Sequence, residues 1–289
     1  TLLENAIRGM LSGLDPHSAY VVENEYDALQ ETTSGEFGGL GIEVGREDGY
    51  IKVISPIDDT PADRAGIQPG DLIIQINDTP TRQIMPEEAA NLMRGEPGTS
   101  VTVTIAREGI EPFDLTITRE VIAINSVRSR MLEPGYAYFR ISQFRANTAE
   151  DLESEYQKLS ADNQDLKGIV LDLRNNPGGV LQASVGVVDT FISDGRIVST
   201  KGRLEGNDME FMATNRTIVK DTPIVVLINN GSASASEIVA GALQDHNRAI
   251  IMGTRSFGKG SVQSVVPLAE QRAIKLTTSL YFTPNGRSI

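Results

Sequence analysis

The sequence predicts mixed α+β and α/β architecture: a helical leading segment, a compact β-rich unit, and an alternating α/β domain. Three observations carry this reading. Residues 1–33 place apolar side chains at helical spacing. From residue 36 to about 120, short strand patterns alternate with turns marked by Gly and Pro. From residue 121 onward, apolar strand runs alternate with amphipathic helical stretches. A chain of 289 residues is long enough for two separate cores.

In the leading segment, Leu2, Leu3, Ile7, Met10 and Leu11 recur at helical spacing, followed by Tyr26 and Leu29. Gly35, Gly38 and Gly39 end the pattern. The chain starts at Thr1 inside this helix, without an initiator Met or a signal peptide, so a mature or trimmed chain is expected. In the β-rich unit, residues 40–44, 51–54, 71–77, 101–106 and 113–118 read as strands, and 86–93 as a helix. Residues 61–66 read as a short helix with a Pro start and a Gly stop. In the last part, 137–141 is a strand and 149–159 an amphipathic helix. Residues 168–173 form a nearly continuous apolar run, as a buried strand does. A Gly-rich turn, a helix over 181–192, a second buried strand over 223–228 and a helix over 235–243 follow. Strands over 249–252, 262–266 and 274–280 complete it. No repeat or low-complexity segment is present.

The β-rich unit, 36–120, resembles a PDZ domain through the loop Gly39-Leu40-Gly41-Ile42 and the segment Ala65-Gly66-Ile67-Gln68-Pro69-Gly70-Asp71-Leu72-Ile73. The physics suits peptide capture. Gly-rich backbone N–H groups form a nest for a C-terminal carboxylate, and an extended tail adds to a strand edge. The plain alternative is a β-barrel insertion without a ligand.

Composition narrows the function. The hydrophobic share is 39% and the charged share 22%, as in ordinary globular proteins. A net charge of −13 repels phosphate backbones and argues against nucleic acid as a partner. The absence of Cys excludes disulfides, thiolate metal sites and a cysteine nucleophile. No apolar run is long enough for a membrane-spanning helix. No metal or other cofactor is expected. His17 and His246 are the two histidines. The first sits in an Asp-Pro-His-Ser turn; the second ends a helix, where a cation suits the dipole. Both read as structural, though one His would suffice for a Ser-His-Asp triad.

Two segments carry chemistry. Asn230-Gly231-Ser232-Ala233-Ser234-Ala235-Ser236-Glu237 joins a buried strand to a helix. A serine there can be exposed, with helix-start N–H groups near a developing oxyanion. Ser-x-x-Glu at 234–237 is also a capping box, which explains both residues without catalysis. The second segment is Gly258-Lys259-Gly260-Ser261-Val262-Gln263. With no convincing His, a Lys amine is the natural base for a serine, provided burial lowers its pKa from about 10.4. Gln263 can accept from that amine and aim its lone pair, and an early strand start would put both side chains on one face. The alternative for Lys259 is a solvated surface charge. Gly253 to Lys259 also matches the start of a phosphate-binding loop, Gly-x-x-x-x-Gly-Lys. Gly260 stands where Ser or Thr should bind magnesium, and a strand follows instead of a helix, so a nucleotide site is excluded.

These segments, with Gly241-Ala242-Leu243-Gln244-Asp245, resemble the carboxyl-terminal processing (tail-specific) proteases of peptidase family S41, most closely those of Gram-negative bacteria. Leu171-Asp172-Leu173-Arg174-Asn175-Asn176-Pro177-Gly178-Gly179 and Asp15-Pro16-His17-Ser18 belong to the same resemblance, which covers nearly the whole chain. The family's Ser and Lys lie 25 apart, as Ser234 and Lys259 do, and its Gln follows four later, as Gln263 does. That spacing selects Ser234 over Ser232 and Ser236. The resemblance implies a crotonase/ClpP-like serine endopeptidase domain over 121–289, with the PDZ domain inserted after the helical segment 1–35. It implies an oxyanion hole from Ala235 and either Gly178 or Gly179, and substrates with accessible C-terminal tails. It also implies periplasmic export, a possible lipoprotein adaptor and homo-oligomers. Arg94, at the end of the 86–93 helix, matches an Arg implicated in switching such proteases on; the alternative is that it offsets that helix's dipole. A non-catalytic PDZ scaffold and a crotonase-like acyl-CoA enzyme are the rival functions. Intact Ser234, Lys259 and Gln263 argue against the first, and no coenzyme motif supports the second.

Overall fold

The computed structural model describes residues 2–123, 125–162, 166–203, 208–269 and 271–289. The chain forms two compact units, one of residues 1–35 with 125–289, the other of 36–124. The first begins with α1 (Leu2–Ser12), β1 (Ala19–Val21) and α2 (Glu23–Ser34). The sequence pattern read 1–33 as largely helical, and β1 interrupts it. The Asp15 carboxylate takes the N–H groups of His17 and Ser18, closing a turn that reverses the chain. α2 stops at Gly35, whose φ of 79° is a left-handed cap position.

The 36–124 unit contains β2 (Glu36–Gly39), β3 (Ile42–Glu47), β4 (Tyr50–Pro56), α3 (Pro61–Arg64), β5 (Leu72–Ile76), β6 (Thr79–Pro80), α4 (Pro86–Met93), β7 (Ser100–Ala106), β8 (Phe113–Thr118) and β9 (Glu120–Ala123). β3-β4-β5-β7-β8 form one antiparallel sheet with β6 on β5, and β2 pairs with β9. Val101, Val103 and Ile105 alternate inward along β7 and meet buried Ile51, Val53, Ile73 and Ile76. α4 packs beside β3, with Pro86 at its start and Glu87 and Glu88 in its first turn.

The chain then supplies β10 (Val127–Glu133), β11 (Tyr136–Ile141), α5 (Thr148–Asp162), β12 (Gly168–Asp172), α6 (Leu181–Asp189), β13 (Arg196–Gly202), β14 (Met209–Met212), β15 (Ile224–Ile228), α7 (Ala235–Asp245), β16 (Ala249–Gly253), β17 (Ser261–Leu268) and β18 (Arg272–Phe282). One sheet runs β10-β11-β12-β15-β16, parallel from β11 onward. α5, α6 and α7 connect its parallel strands, and their Leu152, Val187, Val188, Val239 and Leu243 pack on Ile169, Leu171 and Val226. Ile169 and Leu171 are buried while Val170 between them is half-buried, so β12 is fully covered on one face. The second sheet runs β1-β18-β13-β14, with β17 on β18. The parallel order brings the carboxyl ends of β12 and β15 side by side, where open α/β sheets place their reactive groups.

Candidate active site

After β15 the chain turns through residues 229–233 and enters α7 at Ser234. Ser234 has φ 54° and ψ −114°, a conformation costing a residue with a side chain about 1–3 kcal/mol. Hydrogen bonds hold the turn in place. Ala233 N–H and the Ser236 hydroxyl both donate to the Asn176 carbonyl, each at 3.0 Å. The Ser232 hydroxyl donates to the Leu173 carbonyl at 2.8 Å, and the Asn229 and Asn175 side chains bond at 2.8 Å. Ser232 and Ser236 therefore give their protons to backbone. The Ser234 hydroxyl lies instead beside the Tyr281 phenol, whose burial raises its pKa and keeps it protonated.

The facing turn is just as fixed. Asn176 is fully buried; its amide donates to the Ile141 carbonyl and accepts Gly178 N–H, both at 2.9 Å. Gly178 has φ 98°, and a Cβ there would stand 2.8 Å from Ser234 Cβ, so only glycine lets the two turns meet. Gly178 N–H is engaged by Asn176. Among the described residues, the N–H groups of Gly179 and Ala235 donate to nothing.

Glu237 ties the Ser234 turn to the lysine loop. One carboxylate oxygen accepts Ser234 N–H at 2.8 Å and Lys259 N–H at 2.9 Å; the other accepts Gly258 N–H at 2.7 Å. The capping box read from the sequence is present, and its glutamate reaches further than a cap requires. Lys259 is half-buried, and burial, then the nearby Lys275 charge, pushes its amine below the usual lysine range. It makes no ion pair among the described residues. β17 starts only at Ser261 and carries a bulge between Val262 and Gln263, so the shared strand face expected for Lys259 and Gln263 does not form. The Gln263 amide nitrogen donates to Ser261 Oγ at 2.9 Å and Thr277 Oγ1 at 3.4 Å. No hydrogen bond among the described residues joins Ser234 to Lys259, or Lys259 to Gln263.

The other candidates fall away from this place. His246 caps the far end of α7 from Ser234, its ring bonded to the Arg196 carbonyl at 2.7 Å. The phosphate-loop match runs into strand β17 rather than a helix. No cluster of His, Cys, Asp or Glu among the described residues is arranged to hold a metal. Tyr281, Lys275 and the wider role of Glu237 were missed by sequence reasoning. The Ser-x-x-Glu spacing marked Glu237, but nothing in the sequence places Tyr281 beside Ser234.

In the 36–124 unit, Gly39 ends β2, Leu40 and Gly41 form the turn, and Ile42 opens β3. Gly41 has φ 77°, and a Cβ there would collide with the Thr60 side chain. The N–H groups of Leu40 and Gly41 donate to nothing among the described residues, while both carbonyls are engaged. Arg94 caps α4, its guanidinium 5.0 Å from the centre of the Phe37 ring.

The model of peptidase family S41 matches residues 135–289, and that of a PDZ domain matches 52–107. A carboxy-terminal-processing protease of Bartonella bacilliformis is 50% identical over 100% of this chain and 67% of its own length. A carboxyl-terminal-processing protease of Synechocystis is 38% identical over 98% of this chain and 67% of its own. Others are covered to 58%, so the chain spans between 58% and 67% of the length of these curated relatives. A solved structure of a photosystem II D1 C-terminal processing protease is 32% identical, with a TM-score of 0.57 over 99% of this chain and 78% of that one.

Proposed function

Because the chain belongs to peptidase family S41, a family of serine-type C-terminal processing peptidases with a PDZ domain, we infer that it cuts protein substrates at Ser234, with Lys259 as base and Gln263 orienting that base. The observation that carries this reading is the selection among three serines. Ser232 and Ser236 donate to backbone carbonyls, whereas Ser234 meets only the Tyr281 phenol, on a turn tied through Glu237 to a half-buried lysine.

The chemistry follows from those groups. The Ser234 hydroxyl leaves the Tyr281 phenol for the neutral Lys259 amine and attacks the scissile carbonyl. The C–O bond forms as the hydroxyl proton passes to Lys259, and the carbonyl electrons move onto oxygen. The N–H groups of Ala235 and Gly179 are the donors for that oxyanion, Gly178 N–H being engaged by Asn176. Collapse expels the amine, which takes the proton back from Lys259. Water then repeats the sequence on the acyl-serine and releases the carboxylate. The 36–124 unit would hold the substrate's C-terminal carboxylate on the Leu40 and Gly41 N–H groups, with the tail along β3 beside α4.

Digestion of casein tests this. Ser234→Ala and Lys259→Arg should each abolish cleavage while circular dichroism stays unchanged, the second because a guanidinium does not deprotonate at working pH. Full turnover by either folded variant, or loss of activity on replacing His246 alone, would point to a different site.

A further inference from the structure

The geometry points to a positioning relay in which the Asp15 carboxylate fixes Thr277 as an acceptor and Thr277 thereby fixes which end of the Gln263 amide faces Lys259. The relay rests on the reading of Gln263 as the group that orients the base. It gives the Asp15-Pro16-His17-Ser18 turn a task that neither the nucleophile nor the oxyanion donors explain.

Thr277 lies directly opposite Gln263 in the β17–β18 register. Its hydroxyl donates to Asp15 Oδ1 at 2.9 Å. A hydroxyl has one proton, so toward Gln263 the Thr277 oxygen can only accept. The amide nitrogen of Gln263 meets that oxygen at 3.4 Å and Ser261 Oγ at 2.9 Å. The Ser261 hydroxyl could serve either end of the amide, so it is Thr277 that demands N–H and leaves Oε1 as the end to accept from the lysine amine. Turned by 180°, the amide would present NH2 to Lys259 and occupy the very lone pair that must receive the serine proton.

The relay works only while Asp15 is an acceptor. The Ser18 hydroxyl, against the opposing effect of burial, and then the His17 N–H, the Thr277 hydroxyl and the Ser18 N–H hold its carboxyl at about 2, so it is ionised at any working pH. Ser18 Oγ also accepts Thr277 N–H at 3.1 Å, so the turn grips the residue by backbone and side chain together. β1, which follows the turn, pairs with β18 at Ala19–Val21 and sets the turn against Thr277.

The test is steady-state kinetics on a fluorogenic peptide with an apolar free C-terminal tail. Thr277→Val should lower kcat at least about tenfold with KM within about twofold, and Thr277→Ser should restore it. In a Gln263→Ala background, Thr277→Val should have no further effect, because Thr277 acts through that amide. Asp15→Asn, whose amide can donate to Thr277 and free its proton for Gln263, should repeat the pattern, and stands in if Thr277→Val does not fold. A slow Gln263→Ala beside a full-rate Thr277→Val, or losses that multiply in the double variant, overturns the relay. A full-rate Gln263→Ala overturns the reading of Gln263 itself, and the relay with it.

Discussion

Two causes set the direction in which the Lys259 amine departs from an ordinary lysine. Burial disfavours its charge, and Lys275 adds like-charge repulsion; Glu237, which accepts its backbone N–H, is the neighbouring carboxylate. The sign of the expected pH effect follows. A base acts when deprotonated, so the acidic limb of the kcat/KM profile reports the loss of its proton. Lys275→Gln removes a charge that lowers the pKa, so that limb should move to higher pH with the plateau rate retained. An unmoved limb would leave burial as the whole cause. At this scale the sequence was legible where function is local. Ser234 and Lys259 stood out because one opens a helix and the other lies in a loop marked by glycine, and Gln263, inside β17, was singled out through the spacing of the family it resembles. Tyr281 and Thr277 were not, because their partners are set by the pairing of β18 and the placing of the N-terminal turn. Asp15 and Thr277 are 262 positions apart.

Among the elements, β12 ends in a buried carboxylate with several partners. Its last residue, Asp172, is fully buried. Burial pushes its carboxyl up, but hydrogen bonds from the Arg174 guanidinium, at 2.7 and 2.9 Å, and from the Tyr138 hydroxyl, at 2.6 Å, outweigh it and hold the group at about 2. Arg140 adds an ion pair at 3.4 Å. A carboxyl depressed in the folded state stabilises above its unfolded pKa of 3.8 and loses that contribution as pH falls through about 2. The contribution is on the order of 2 kcal/mol. Asp172→Asn should remove at least that at neutral pH and flatten the acid dependence between those values, read by urea unfolding at several pH values. A variant with wild-type acid dependence would assign the loss elsewhere. The strands that escaped the sequence pattern have physical reasons. β10 alternates Arg128 and Arg130 with its inward residues and shows no apolar run; β1 is three residues long; β13 carries Ser199, Thr200 and Lys201 in its second half although two of these are buried.

For the molecule as a whole, the two units were legible because the pattern changes from short strands with turns to strands alternating with helices. β9 pairs with β2, and the second unit runs from 36 to 124. A switching role for Arg94 is a proposal that extends the proposed function. The competing role is local: Arg94 ends α4 and stacks on Phe37. If it switches the enzyme, a tail can favour the active state only by binding it more tightly than the resting one. Arg94→Ala should then lower kcat strongly while tail affinity and melting temperature barely change. Wild-type turnover in that variant would leave it a structural stack. The desolvated state of Lys259 has one more consequence. An amine that gives up its proton more readily than an ordinary lysine is also the more reactive toward electrophiles, and this chain has no cysteine to compete with it. Acylating reagents that thiol-rich proteins would divert are therefore free to react at Lys259, so covalent probes can be aimed at the lysine as well as at the serine.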